Sequence, residues 1–198
     1  MRRTVKLITA PQFDPVTLRE LKAHLRITET DISQDNLLWL KLRAGVEAMD
    51  ARYSMMGRAL MPQTWELVLQ CWPGCDFIEL PYPPLVTVQS VKYTDDASPS
   101  VERTFGEYIA SVDREPGRIT LSDGASWPSE SLSPSDPIRI RFTCGYADAS
   151  QVPAQIREAI MLLGQKLYDG HALSKAESDA IDFVVAKLTA NYQAEHAF

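Results

Sequence analysis

The run from Ser33 to Leu69 constrains this chain most, because a long amphipathic helix there must give way to a strand within a few residues. Leu38, Leu42, Val46, Met49, Tyr53 and Met56 are spaced 4, 4, 3, 4 and 3 apart, one apolar stripe on one face of an α-helix. Ser33 can cap its start, and Asp35 in the first turn complements the positive end of the helix dipole. Gly57 can take the left-handed conformation that closes a helix, and Pro62 forbids its continuation. Thr64 to Leu69 follows as a β-prone run with partial alternation. Residues 57–67 therefore read as a helix-to-strand junction, which specifies an α+β chain but no chemistry.

Upstream, Thr17 and Glu20 have the spacing of a capping box, and Leu18, Leu21 and Leu25 form the buried face of a short helix. From Met61 to about Tyr146, prolines crowd in and β-prone runs alternate with turn signals. The predicted strands are Thr64–Gln70, Phe77–Leu80, Val86–Tyr93, Tyr108–Val112, Arg118–Leu121 and Ile138–Thr143. Val86, Val88 and Val91 are expected to share the inward face of the third. Ile138, Ile140 and Phe142 alternate with Arg139, Arg141 and Thr143, so one face is buried and one is wet. Asp95 and Asp96 open a turn that reads as solvated. Helix then returns. Pro153 suits a first turn, Ile156, Ile160, Leu163 and Leu167 form a stripe, and Gly170 can end it. Ser174 and Glu177 repeat the capping-box spacing, and Ile181, Val184, Val185, Leu188 and Tyr192 are expected to face inward. The predicted class is α+β. N-terminal helices (1–60) and C-terminal helices (148–198) form one helical bundle, and an antiparallel β subdomain (61–147) is inserted between them.

The composition is that of a globular chain, 45% hydrophobic and 23% charged, with no apolar run of membrane-spanning length. Arg2, Arg3 and Lys6 give the N-terminus the charge of a signal peptide, but Thr9, Pro11, Gln12 and Asp14 interrupt any apolar core. The expected site of synthesis is the cytoplasm. A formal charge of −6 argues against a basic surface gripping phosphates. Three cysteines, Cys71, Cys75 and Cys144, suggest free thiols rather than a disulfide framework.

The chain has no G-x-S-x-G, H-E-x-x-H, P-loop or dinucleotide fingerprint. Cys71 and Cys75 form a C-x₃-C pair, but Cys144, His24, His171 and His196 are not at a spacing that completes a zinc site. No catalytic, cofactor or metal residue is assigned. The informative side chains are aromatic and apolar. Leu37, Trp39, Leu40, Ala44 and Ala48 lie off the main stripe of the long helix, forming a second face. That face can meet a neighbouring subunit or the chain's own β layer. Trp72 and Trp127 each precede a proline and are either interface anchors or seals at the edge of a small β core. If Trp72, Trp127, Tyr82 and Tyr93 lined a groove of coplanar exposed rings, the chain would instead be a non-catalytic module for a ligand such as carbohydrate. A hydrolase would need a deep pocket of convergent polar groups, for which no residues stand out.

A set of segments resembles a known family. They are Pro15 to Ile27, Gly57 to Leu60, Gln63 to Leu67, Ile78 to Leu85, Val88 to Tyr93, Pro116 to Ile119, Ser126 to Pro128, Gly145–Tyr146 and Val152 to Ile156. Their order and spacing are similar to those of the head–tail connector (adaptor, or head-completion) proteins of tailed bacteriophages and prophages, in the subgroup with a β insertion in the helical core. The resemblance implies a structural virion assembly protein, not an enzyme, without cofactors. It implies a ring of copies beneath the portal that joins the DNA-filled head to the tail. The implied partners are the chain itself, the portal protein and a tail-proximal completion protein. Double-stranded DNA would pass through without sequence-specific binding, and no membrane is involved. An acidic channel wall would repel phosphates and let the duplex pass. The implied location is the host cytoplasm during assembly, then the virion head–tail junction. The resemblance also implies that Lys175 to Phe198 reaches the portal. Together these readings mark Leu37, Trp39, Leu40, Trp72, Trp127, Tyr192 and Phe198 as candidate protein-interface residues.

Overall fold

The long apolar stripe does build a helix, but a shorter one than its spacing predicts. The computed structural model describes residues 3–51, 54, 56–97 and 99–194. Its longest N-terminal helix runs Asp35–Met49 and buries Leu38, Leu42, Gly45, Val46 and Met49. Asp50 is extended (φ −100, ψ 132), and its carboxylate accepts the Leu60 N–H at 2.8 Å. With the Ala51 N–H on the Arg58 carbonyl at 2.8 Å, that bond ties the chain beyond Met49 to residues 58–60 in place of another helical turn. Met56 is still fully buried in the same apolar core, but outside the helix, while Tyr53 lies outside the described residues. Gly57 is left-handed (φ +59), yet in the irregular segment beyond the helix rather than at its end. Ser33 is not the cap. Its N–H and hydroxyl both donate to Asp31 Oδ1, at 3.0 and 2.6 Å, and Gln34 at the N-cap makes no capping bond to the helix, its Oε1 accepting the Tyr168 hydroxyl at 2.9 Å instead.

The chain divides into two compact units, one of Gln12–Met61 with Tyr146–Gln193, the other built on Pro62–Gly145 with the N-terminal segment to Pro11. In the helical unit, α1 is Leu18–His24, α2 is Asp35–Met49, α3 is Ala154–Asp169 and α4 is Lys175–Thr189. Both predicted capping boxes form. Glu20 accepts the Thr17 N–H at 2.8 Å, and Glu177 accepts the Ser174 N–H at 2.8 Å. Gly170 (φ +44) ends α3, and a 3-10 turn leads into α4. Leu21, Leu38, Leu42, Leu60, Ile156, Ile160 and Val185 share one core. α2 and α3 approach closely. A Cβ on Gly45 would lie 3.1 Å from the Ile160 carbonyl oxygen and 3.4 Å from the Gly164 nitrogen, and one on Gly164 would lie 4.0 Å from Leu42 Cα. Position 42 thus faces 164 and position 45 faces 160, so the two helices run antiparallel. On α4, Val185 is buried, whereas Val184, expected to face inward, is exposed.

In the β unit, the strands are β1 Arg3–Thr9, β2 Gln63–Leu69, β3 Phe77–Glu79, β4 Leu85–Thr94, β5 Glu102–Phe105, β6 Tyr108–Ser111, β7 Arg118–Leu121 and β8 Ile138–Cys144. They form a five-stranded sheet in the order β1-β2-β8-β4-β5 and a three-stranded sheet β3-β7-β6, with every pairing antiparallel. β8 is central, and Ile138, Ile140 and Phe142 are fully buried while Arg139 and Arg141 are exposed, as the alternation predicts. In β4 the register shifts between Leu85 and Thr87 and again between Val88 and Ser90. These irregularities turn Val86 outward, 50% exposed, and bury Val91 completely, so the three valines do not share one face. β1 and β5 were not predicted. Both are edge strands whose exposed residues carry little apolar alternation. Among the described residues, no helix is long and apolar enough to cross a membrane.

Glycine replacements test both units. Gly117→Ala would place a Cβ 2.5 Å from Leu85 Cβ, inside the β unit. Gly45→Val would push against the α3 backbone. Each should cost about 1–3 kcal/mol in denaturant unfolding, the usual scale of overpacking. Gly74→Ala, with nothing within 4 Å, should stay within about 0.5 kcal/mol of the parent.

Candidate assembly surface

In the helical unit, the first two turns of α2 turn large apolar side chains to solvent. Leu37 is 43% exposed, Trp39 53% and Leu40 57%. Ile32 and Phe13, in the links before α2, are more exposed still. Such a concentration marks an interaction surface more often than a scatter of single residues does. The start of α2 is fixed by Lys22, a residue that sequence reading passed over. Its side chain is buried, 3% exposed, and its ammonium donates to the carbonyls of Asp31 at 2.7 Å and Glu29 at 3.3 Å and pairs with Asp35. A buried ammonium survives only when its protons are all directed at acceptors, so the α1–α2 link is held in one shape. The only sequence signal was a lysine beside the fully buried Leu21.

Arg157 ties α3 to the start of α1, donating to the Pro15 carbonyl at 3.1 Å and pairing with Glu20. Burial works to raise the Glu20 carboxyl, but the Thr17 N–H and hydroxyl together with the Arg157 charge outweigh it and hold the group below its ordinary value. Tyr192 is half-buried against the helical core, and its carbonyl accepts Arg58 Nε at 3.2 Å. Phe198 lies outside the described residues.

In the β unit, Trp72 and Trp127 come together. Their rings stack 4.9 Å apart at 9°, and Trp127 Nε1 donates to the Cys75 carbonyl at 2.8 Å. Phe105 lies 5.7 Å from Trp72 and 5.4 Å from Trp127, Tyr93 meets Trp72 edge-on at 5.9 Å, and Tyr108 is 6.3 Å from Phe105. Phe105 and Tyr108, which bridge β5 and β6, were not singled out from sequence. The stacking turns each indole face toward another protein ring. Tyr82 sits elsewhere, 4.6 Å from Trp65. Trp72, Trp127, Tyr82 and Tyr93 therefore do not line one groove of coplanar open rings, the arrangement a sugar-binding module needs.

Asp95 is not a solvated turn residue but 5% exposed. Its carboxylate accepts the Val101 N–H at 2.9 Å, the Ala97 N–H at 3.3 Å and Arg103 Nε and Nη2 at 3.2 and 3.1 Å. The Val101 amide first, then Arg103 and Ala97, hold its carboxyl below the usual range against the effect of burial. Burial raises the Tyr93 hydroxyl, with the Glu130 carboxylate adding to it.

A cleft in the helical unit is lined by His24, Leu25, Arg26, Ile27, Gln165, Tyr168 and Asp169. His24 Nε2 lies 2.9 Å from the neutral Gln165 amide oxygen, an arrangement that orients the ring but supplies no nucleophile. Cys71, Cys75 and Cys144 are free thiols, the first two exposed. Among the described residues, no group of three or more His, Cys, Asp or Glu is placed to hold a metal ion.

A helical unit with a buried apolar core and open apolar helix faces, joined in sequence to an antiparallel β unit, is a fold found in the neck of a phage-like particle. Solved structures that match include two necks and a virion of gene transfer agent particles, which are phage-like. One, the neck of an empty particle computed with sixfold symmetry, matches with a TM-score of 0.79 and 25% identity, over 98% of this chain and 97% of that one. A chain of the native virion (TM-score 0.73, 24% identity) and one of the native neck computed with twelvefold symmetry (0.73, 23%) match over the same shares and share the fold. No protein-family model matches the chain, and no curated protein matches it significantly.

Asp95 makes acid sensitivity predictable. A carboxyl held low in the folded state contributes stability above its unfolded value, near 3.8, and loses it as pH falls through the lower folded value. Asp95→Asn should therefore lower the melting temperature at pH 7, and the gap from the parent should close below about pH 4. Thermal melts across pH 2.5–7 (roughly the span of carboxylate titration) read this out.

Proposed function

We propose that the chain is a structural head–tail connector of a phage or prophage-derived particle. Copies form a ring beneath the portal and join the DNA-filled head to the tail. The observation that carries this reading is a match along essentially the full length of both chains, at a TM-score of 0.79, to a protein of a particle neck. The partners are further copies of the chain, the portal protein and a tail-proximal completion protein. Double-stranded DNA passes through the ring without sequence-specific contact, in keeping with the charge of −6. The protein performs no catalysis. It is made in the host cytoplasm and ends at the head–tail junction.

The helices within 1–60 and 148–198 supply the helical core and 61–147 the inserted β subdomain, except that the N-terminal segment to Pro11 joins the β unit, where β1 is an edge strand. Leu37, Trp39 and Leu40 are proposed contacts between copies, and Tyr192 and Phe198 belong to the segment proposed to reach the portal. Trp72 and Trp127, packed on each other, shape the β subdomain surface offered to a neighbour.

Native mass spectrometry of the purified chain, alone and with portal protein, tests the reading. It predicts a closed oligomer of one stoichiometry, either alone or templated by the portal. A chain that stays monomeric at high concentration and ignores the portal would overturn it.

A further inference from the structure

We infer that the ring closes through the outer face of α2 on one copy and the outer face of α4 on the next. The inference rests on the connector reading and names the two surfaces it requires. Closed rings are built from heterologous contacts, in which one patch meets a different patch on the neighbour. α3 packs against both α2 and α4, and α1 lies over α2 and α3, so α2 and α4 flank α3. Each carries an apolar or small stripe along its solvent side.

On α2 the stripe is Leu37, Leu40, Ala44 and Ala48, all exposed and spaced 3, 4 and 4. On α4 it is Ala176, Ala180 and Phe183, spaced 4 and 3, with Phe183 63% exposed. Helical spacing of this kind puts each set on one face. The directions also agree. α2 is antiparallel to α3, from the approach of Gly45 to Ile160 and Gly164, and α3 is linked to α4 by a short turn and the Lys166–Asp182 pair at 2.5 Å. α2 and α4 therefore run in the same direction within one copy, and rotation about a ring axis brings the next copy's α4 alongside α2 nearly parallel.

In a parallel pair the side chains are complementary in size. Leu37 and Leu40 face Ala176 and Ala180, and Ala44 and Ala48 face the end that carries Phe183. They are complementary in charge as well. Lys41 borders the α2 stripe on the side where Asp179 borders that of α4, and Glu47 lies in the last turn of α2 as Lys187 does in that of α4.

Cross-linking decides the matter. In a Cys71→Ser, Cys75→Ser background, which removes both exposed thiols, the full chain carrying Ala44→Cys and Ala180→Cys is treated with a short bis-maleimide. The expected result is a ladder from dimer up to the full ring, whereas either cysteine alone gives only monomer. A second arm reverses charge. Lys41→Asp should weaken ring assembly at least tenfold, and adding Asp179→Lys should restore it, with thermal melts little changed because Asp179 is exposed and Lys41 is half-buried outside the core. Two results would overturn the inference: dimers from Ala44→Cys alone, which report a two-fold contact, or no ladder from a double variant that still forms rings by native mass spectrometry. An unsubstituted chain that forms no ring, alone or with portal, would instead sink the connector reading.

Discussion

The helical unit depends on the close approach of α2 and α3 at Gly45 and Gly164. A Cβ on Gly45 would lie 3.1 Å from the Ile160 carbonyl oxygen, and one on Gly164 would meet Leu21 at 3.2 Å and Leu42 Cα at 4.0 Å, so the absence of side chains at these two positions lets the helices come this close. That contact lets the flanking apolar residues of both helices reach one core, in which Leu38, Leu42, Ile156 and Ile160 are essentially buried. It also settles which face of α2 remains outside. Once the Leu38–Leu42–Met49 stripe is committed to α3, Leu37, Leu40, Ala44 and Ala48 have no position but the opposite side. An assembly protein needs such a division: one face that makes the subunit rigid and another left over for its neighbours.

The supporting polar groups act on geometry rather than chemistry. Lys22 binds carbonyls of the α1–α2 link and so fixes where α2 begins. Arg58, buried, binds the Tyr192 carbonyl and the Tyr146 hydroxyl, which fastens the end of the chain to both strands of the polypeptide that make up the helical unit. In the β unit Asp95 holds its loop through four hydrogen bonds and the Trp72–Trp127 stack packs on Phe105 of β5. Each arrangement restricts motion in a surface that must present the same shape on every copy of a symmetric assembly.

Features set by neighbouring residues were legible in the sequence. The capping boxes at Thr17–Glu20 and Ser174–Glu177 are local bonds, and both form. The alternation of Ile138, Ile140 and Phe142 against two arginines reports a central strand that is buried on one face, and β8 is that strand. Features set by distant residues were not legible. α2 stops at Met49 because Asp50 bonds to Leu60, which no helical periodicity can reveal. β1 and β5 owe their form chiefly to pairing with β2 and β4, since each buries a single side chain of its own, Val5 and Phe105. Of the candidate surface, Leu37, Trp39 and Leu40 were recognisable as lying off the buried stripe. What they face was not, since a monomer's sequence encodes the patch and its partner in different segments.

The central claim, that this chain joins head to tail, is tested most directly by deleting its gene in the organism that encodes it and imaging the particles by electron microscopy. The account predicts heads and tails that each assemble but remain separate, with joined particles restored by the gene in trans. Normally joined particles in the deletion strain would contradict it.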